Sequence, residues 1–210
     1  MALVRKPALL AAALLAALVA GGARAAAHRD TVTITSSAKV AEDGVPTLFG
    51  GFVSSRRPGE TVTLEQDDCG PIPWHPVLSV KTADQGGWRG FANPTINSRY
   101  RVRWRKAVSR VITIKARPQL TIAPLDRGIS IQVLAFDFFD KRTALLEQLV
   151  PATRRYRVIA RTRLARAGAA GIYAATTGVF HVTTSGTVRA SLPDREARPC
   201  YTGGHSPPIR

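Results

Sequence analysis

Cysteine is almost missing: Cys69 and Cys200 are the only two in 210 residues. That number excludes both a disulfide-dense mini-scaffold and a four-cysteine zinc site. Lysine is scarce, with 6 against 24 arginines, and acidic residues number only 14, so the formal charge is +16. The four histidines, His28, His75, His181 and His205, form no H-E-x-x-H pair. There is no G-x-S-x-G elbow and no glycine-rich phosphate loop. Beyond the first 27 residues, no apolar run reaches the roughly 20 residues that a membrane-spanning helix needs. What remains is a non-enzymatic binding or structural protein without a cofactor, with a catalytic pair assembled from distant strands as the residual alternative.

The amino terminus carries the one long apolar run. Arg5 and Lys6 precede Ala8 to Ala20, and small residues follow in two A-x-A patterns, Ala23-Arg24-Ala25 and Ala25-Ala26-Ala27. This is the layout of a secretory signal peptide over residues 1–27, with a retained membrane anchor as the competing reading. Cleavage after Ala27 would remove Arg5, Lys6 and Arg24 and leave a chain near +13, secreted or held at the cell envelope. A basic excess of that size favours polyanions as partners; solvated strand faces are the alternative account of it.

Hydrophobic residues make up 45% of the chain, enough for real cores. Their spacing has a period of two. In Arg99-Tyr100-Arg101-Val102-Arg103-Trp104-Arg105 the even positions are large and apolar and the odd ones are arginines, as in a half-buried strand. Similar short runs with turn signals between them fill residues 31–117: Pro46 to Val53, Thr61 to Glu65, Val77 to Thr82, Trp88 to Ala92 and Val108 to Ala116. Asp67 to Pro76 reads as a proline-rich loop and Asp84 to Gly87 as a hairpin turn. After the short link Arg117-Pro118 a second module is expected over 119–200, with strands at Leu120 to Ile122, Gly128 to Phe136, Arg155 to Leu164, Phe180 to Val182 and Thr187 to Leu192. A helix over Arg157 to Ala170 is the competing reading of that stretch. Ala144-Leu145-Leu146-Glu147-Gln148 echoes Val62-Thr63-Leu64-Glu65-Gln66 at an offset of 82, and Tyr156 falls where Trp74 sits. Residues 201–210 are expected to be a loose tail. The fold class is therefore all-β, as two β-sandwich modules in tandem.

The stretches Pro58-Gly59-Glu60-Thr61-Val62-Thr63-Leu64, Thr82-Ala83-Asp84-Gln85-Gly86-Gly87-Trp88 and Asn97 through Trp104 resemble the tandem Ig-like modules of bacterial secreted and cell-surface proteins. The second module resembles them more loosely. The resemblance implies an Ig-like fold and a spacer, adhesion or binding-platform role, with no catalytic residues carried over.

Several groups of residues remain as candidate chemistry. Arg99, Arg101, Arg103 and Arg105 form one outward comb, and Arg155, Arg157, Arg161 and Arg163 a second, with Tyr156, Val158, Ala160 and Leu164 facing the other way. Alternate strand residues stand about 6.5–7 Å apart, comparable to phosphate spacing along an extended nucleic-acid strand, so a polyanion fits geometrically; charge that guards a sheet edge is the alternative. No stacking aromatic is expected on the comb face, which disfavours specific nucleic acid. Trp74, inside Pro73-Trp74-His75-Pro76, is the candidate for stacking on a sugar, whereas Trp104 and Trp88 read as core or edge. Cys69 and Cys200 are a possible disulfide, although counting strand directions puts Cys69 at the pole away from the link, so that a bridge demands a folded-back pair. Asp67, Asp68, Cys69 and His75 lie close in sequence but lack the paired spacing of a zinc site, and Asp137 and Asp140 read as turn residues. His181 reads as a structural histidine within a strand. The expected role is structural or adhesive at the cell envelope, through an envelope polymer or a surface protein. Polyanion or carbohydrate binding by the arginine strands is the alternative.

Overall fold

The computed structural model describes residues 29–42 and 44–210; the signal-like segment 1–27 lies outside the described residues. The first half holds β1 (Thr35–Ser36), β2 (Val40–Glu42), β3 (Thr47–Phe52), β4 (Thr61–Asp68), β5 (His75–Lys81), β6 (Gly87–Ala92), β7 (Ser98–Trp104), β8 (Ala107–Val108) and β9 (Ile112–Arg117). One sheet runs β1-β3-β6 and the other β2-β9-β7-β4-β5, with β8 folded back on β7. The second half holds β10 (Gln119–Leu125), β11 (Gly128–Ala135), β12 (Thr143–Val150), β13 (Arg155–Arg163), β14 (Ala165–Ala170), β15 (Tyr173–Phe180), β16 (Val188–Leu192), a helical turn α1 (Asp194–Ala197) and β17 (Gly204–His205). Its sheets run β10-β11-β15-β14 and β13-β12-β16-β17. In chain order the second half reads as strands A to G of an immunoglobulin-type sandwich, ABED on one sheet and CFG, extended by one strand, on the other. The first half has the same order without the fourth strand of the ABED sheet.

Period-two patterning puts the apolar side chains between the sheets. Tyr100, Val102 and Trp104 of β7 are buried, as are Phe49 of β3 and Val62 and Leu64 of β4. Phe49 and Tyr100, 4.7 Å between ring centroids, join the two sheets at their centre. A second apolar cluster gathers Ile129, Ile131 and Val133 of β11, Ala144 and Leu146 of β12, and Ala190 and Leu192 of β16. Ala116, at the end of β9, already belongs to this second cluster.

The β4–β5 hairpin and the β12–β13 hairpin carry one ladder at an offset of 82. Thr61 pairs Lys81 and Thr143 pairs Arg163; Leu64 pairs Leu78 and Leu146 pairs Ala160. In both, one residue of the outer strand (Val77, Ile159) is then skipped, so that Glu65 pairs Pro76 and Glu147 pairs Val158. A bulge of this kind adds an unpaired residue and exchanges the faces beyond it.

Several expectations are corrected. Asp84 to Gly87 is not a hairpin turn: it carries the chain from β5 in one sheet to β6 in the other. β4 runs on to Asp68 and β5 begins at His75, so the proline-rich loop is shorter than expected, and Pro76 sits on an edge strand where its missing N–H costs nothing. The strand expected over Arg155 to Leu164 is present as Arg155–Arg163, and Ala165–Ala170 is a further strand, so the competing helix is excluded. His181 lies exposed beyond the end of β15 rather than inside a strand. The tail is not loose. Gly204 and His205 pair with Leu192 and Ser191, Ile209 bridges to Val188, and Tyr201 and Ser206 are buried.

Candidate functional site

β4 and β9 are both antiparallel to β7, so both end at the same pole. Cys69, just past β4, therefore lies beside the Arg117-Pro118 link and not at the far pole. α1 and the turn after it bring Cys200 to the same place, and the two cysteines are bridged with Cα atoms 5.3 Å apart. No folded-back arrangement is needed. The far-pole expectation is overturned: the crossing from β5 to β6 reverses the chain as a hairpin would, so β4 and β9 run the same way.

Backbone and side-chain hydrogen bonds reinforce this bridge. Asn97 N donates to Cys200 O (2.8 Å), Cys69 N to Asn97 O (2.9 Å) and Thr202 N to Ala116 O (2.9 Å). The Asn97 side chain accepts from Ala116 N at 2.9 Å and donates to Pro199 O at 3.3 Å. Asp194 fixes the incoming turn by accepting from Gly203 N at 2.6 Å and Thr202 Oγ1 at 2.9 Å. Those bonds hold its carboxyl below the ordinary carboxylate range. Asn97 was not legible as a functional residue, because its partners are backbone atoms, two of them about 100 residues away; Asp194 was not, because its partners sit in a stretch that reads as tail.

The first arginine comb is neutralised from the neighbouring strand. Arg99 Nε donates to Asp67 (2.7 Å), Arg101 Nε to Glu65 (2.6 Å) and Arg103 Nε to Glu65 (2.9 Å). Arg105 pairs with Glu60 and, at 3.4 Å, with Asp30. Hydrogen bonds from Arg103 and then Arg101 hold the Glu65 carboxyl below its usual range, while Ser55 and Arg105 do the same for Glu60. Trp74 is half-buried, and its ring face is covered by the Arg101 guanidinium at 4.2 Å and, farther out, by Arg99 at 5.6 Å. An aromatic does lie on the comb face, contrary to the sequence expectation, but the arginines occupy it. Trp88 is buried and donates to Thr33 O at 3.2 Å. Trp104 is buried in the core.

The second half repeats the motif. Glu147 faces Arg189 as Glu65 faces Arg101, each pair directly across two strands. Arg189 Nε donates to Glu147 at 2.9 Å, and the Arg189 guanidinium lies 3.8 Å from the Tyr156 ring centre. Ser191 Oγ also donates to Glu147. His205 Nδ1 is 3.8 Å from the same carboxylate; desolvation and then Arg189 still push its imidazole below the ordinary histidine value.

The second comb is arranged differently from expectation. The skipped Ile159 puts Arg161 and Arg163 on the same face as Val158 and Tyr156, and turns Arg155 and Arg157 to the opposite one. All four are exposed and none has an ion pair among the described residues. β13 is an edge strand.

The residues considered for metal or catalysis do not assemble. Cys69 is in the disulfide, Asp67 binds Arg99, and no group of three or more His, Cys, Asp or Glu is placed to hold a metal ion among the described residues. Ser98, Asp68 and His75 do meet. However, buried Ser98 donates to Asp68 at 2.7 Å, and His75 stands 3.9 Å beyond that carboxylate. The carboxylate, not the imidazole, stands beside the hydroxyl, and the order is not that of a nucleophile relay.

No protein-family model and no curated protein matches the sequence. Among solved structures the chain is similar to a marsupial T cell receptor, at 7% identity and a TM-score of 0.34, over 78% of this chain and 93% of that one. The fold is all-β. Strand order and register, not that likeness, establish it.

Proposed function

We propose that the protein is a non-enzymatic, exported two-module element with a structural or adhesive role at the cell envelope. The observation that carries this reading is the clasp at the junction, where a disulfide and the backbone bonds around Asn97 tie one sandwich to the next. A spacer or adhesive unit has to hold its binding surfaces at a fixed relation, and a clasp of this kind resists bending about the short link. A structural disulfide also suits an oxidising compartment outside the cytoplasm. The signal-like layout of residues 1–27 supports the same address.

The test is fractionation of the producing cells followed by rebinding. Processed protein, lacking residues 1–27, is expected outside the cytoplasm, and purified protein is expected to rebind washed envelope. An unprocessed cytoplasmic chain, or purified protein that stays in the supernatant, overturns the reading.

A further inference from the structure

The two hairpins share every pairing of the β4–β5 ladder, yet their charges differ. At the positions of Arg155, Arg157, Arg161 and Arg163 the first hairpin has Pro73, His75, Ser79 and Lys81. Where the first hairpin has Asp67 and Asp68, the second has Leu149 and Val150. The ladder therefore forms without the arginines, and the strand beside them has lost the acids that would neutralise them. From residue 148 to residue 193 the chain contains no Asp or Glu at all. Like charges unopposed on one strand repel, and a single lysine or proline is enough to guard an edge. The concentration of arginine on β13 exceeds what edge protection requires.

We propose that the β13 edge is a docking surface for a linear acidic polysaccharide. This deepens the adhesive reading and rests on it. The guanidinium fork matches carboxylate and sulfate groups in a two-bond geometry that lysine cannot offer. Within each pair, Arg155 with Arg157 and Arg161 with Arg163, the residues alternate along the strand about 6.5–7 Å apart. Because the bulge turns the two pairs to opposite faces, the polymer lies along the edge and is gripped from both sides. The ring face of Tyr156 is occupied by Arg189, so the surface has no open platform for a nucleobase, and recognition is by charge. The β7 comb, already paired with Glu60, Glu65 and Asp67, takes no part.

The experiment compares the intact, disulfide-bonded chain with two quadruple variants that each remove four positive charges. One carries Arg155→Ser, Arg157→Ser, Arg161→Ser and Arg163→Ser; the other carries Arg99→Ser, Arg101→Ser, Arg103→Ser and Arg105→Ser. Binding to polygalacturonate and to heparin is measured across a salt series, with dextran and single-stranded DNA as controls. The β13 variant is expected to lose tenfold or more in affinity for the acidic polysaccharides with an unchanged melting temperature; the β7 variant is expected to bind within about threefold of wild type.

Equal losses in the two variants would mean net charge alone, and would overturn the site. Tighter binding to single-stranded DNA than to the polysaccharides would overturn the choice of partner. Should the β13 variant melt early, the Arg155→Ser, Arg157→Ser double variant lies where neither strand of the hairpin contributes a buried residue; wild-type affinity there would equally exclude the surface. None of these outcomes touches the rebinding of washed envelope, so the two readings fail separately.

Discussion

Two arginines converge on Glu65, and one of these caps Trp74. Glu65→Gln should lower stability by about 1–2 kcal/mol at neutral pH, a range discounted for the exposure of Arg103. Its carboxyl titrates below the ordinary value in the folded chain. The stabilisation is therefore complete above the unfolded-state value near pH 4.5 and fades as pH falls through the folded one. Melting curves from pH 7 to 3 should fall less steeply in the variant; parallel curves would refute the assignment. His205, a base, shows the same direction at higher pH. Its folded-state value is depressed, so the unfolded chain takes up the proton first as pH drops below about 6.5. The contribution is full above that pH and is lost toward the folded value. His205→Asn should flatten the melting profile between pH 7 and 5 and leave it unchanged above 7.

Among the elements, a period of two made β4, β7 and β11 legible, because large apolar side chains alternate there with polar ones, while β12 showed only as an echo of β4. Only the end of β15 was legible, at buried Phe180; before it the buried Ala174, Ala175 and Thr176 give no contrast with their neighbours. β17 escaped because its anchoring is through backbone pairing, which Pro and Gly content masks. The cysteine pair was visible, but its closure depended on which pole each strand reached, and that is set by β4 and β9 both pairing antiparallel with β7. The second comb was legible as residues and misread as a face, because one skipped residue reverses the alternation. Deleting Ile159 removes the unpaired residue and keeps every pairing of the ladder, so soluble expression should survive with Arg161 and Arg163 still facing outward, whereas Ile159→Val, which keeps the bulge, should cost about 1 kcal/mol by chemical denaturation. Gly51 is fixed by a close approach: a Cβ there would collide with the backbone carbonyl of Thr33, which also receives the Trp88 indole bond. Gly51→Ala should destabilise by about 2–4 kcal/mol in the same measurement, as expected when backbone rather than a mobile side chain has to yield.

At the scale of the whole molecule the decisive link is Cys69–Cys200, which closes a loop of 131 residues. Cys69→Ser with Cys200→Ser should reduce stability by about 2–4 kcal/mol. Small-angle scattering should also show a broader distribution of dimensions, since the bonds around Asn97 then hold the junction alone. Asn97→Ala in the oxidised chain should loosen it far less. Scattering unchanged by the double substitution would mean that packing at Ala116 suffices and that the clasp is dispensable.

The matched ladders of 61–81 and 143–163, equal in length and in the position of the skipped residue, make the two hairpins exchangeable cassettes. A chimera carrying the second hairpin in the first location, with Pro151→Cys to preserve the clasp, should fold in register and display the arginine edge twice. Ligand grip could then be transplanted along the molecule, or doubled, without redesigning a single strand.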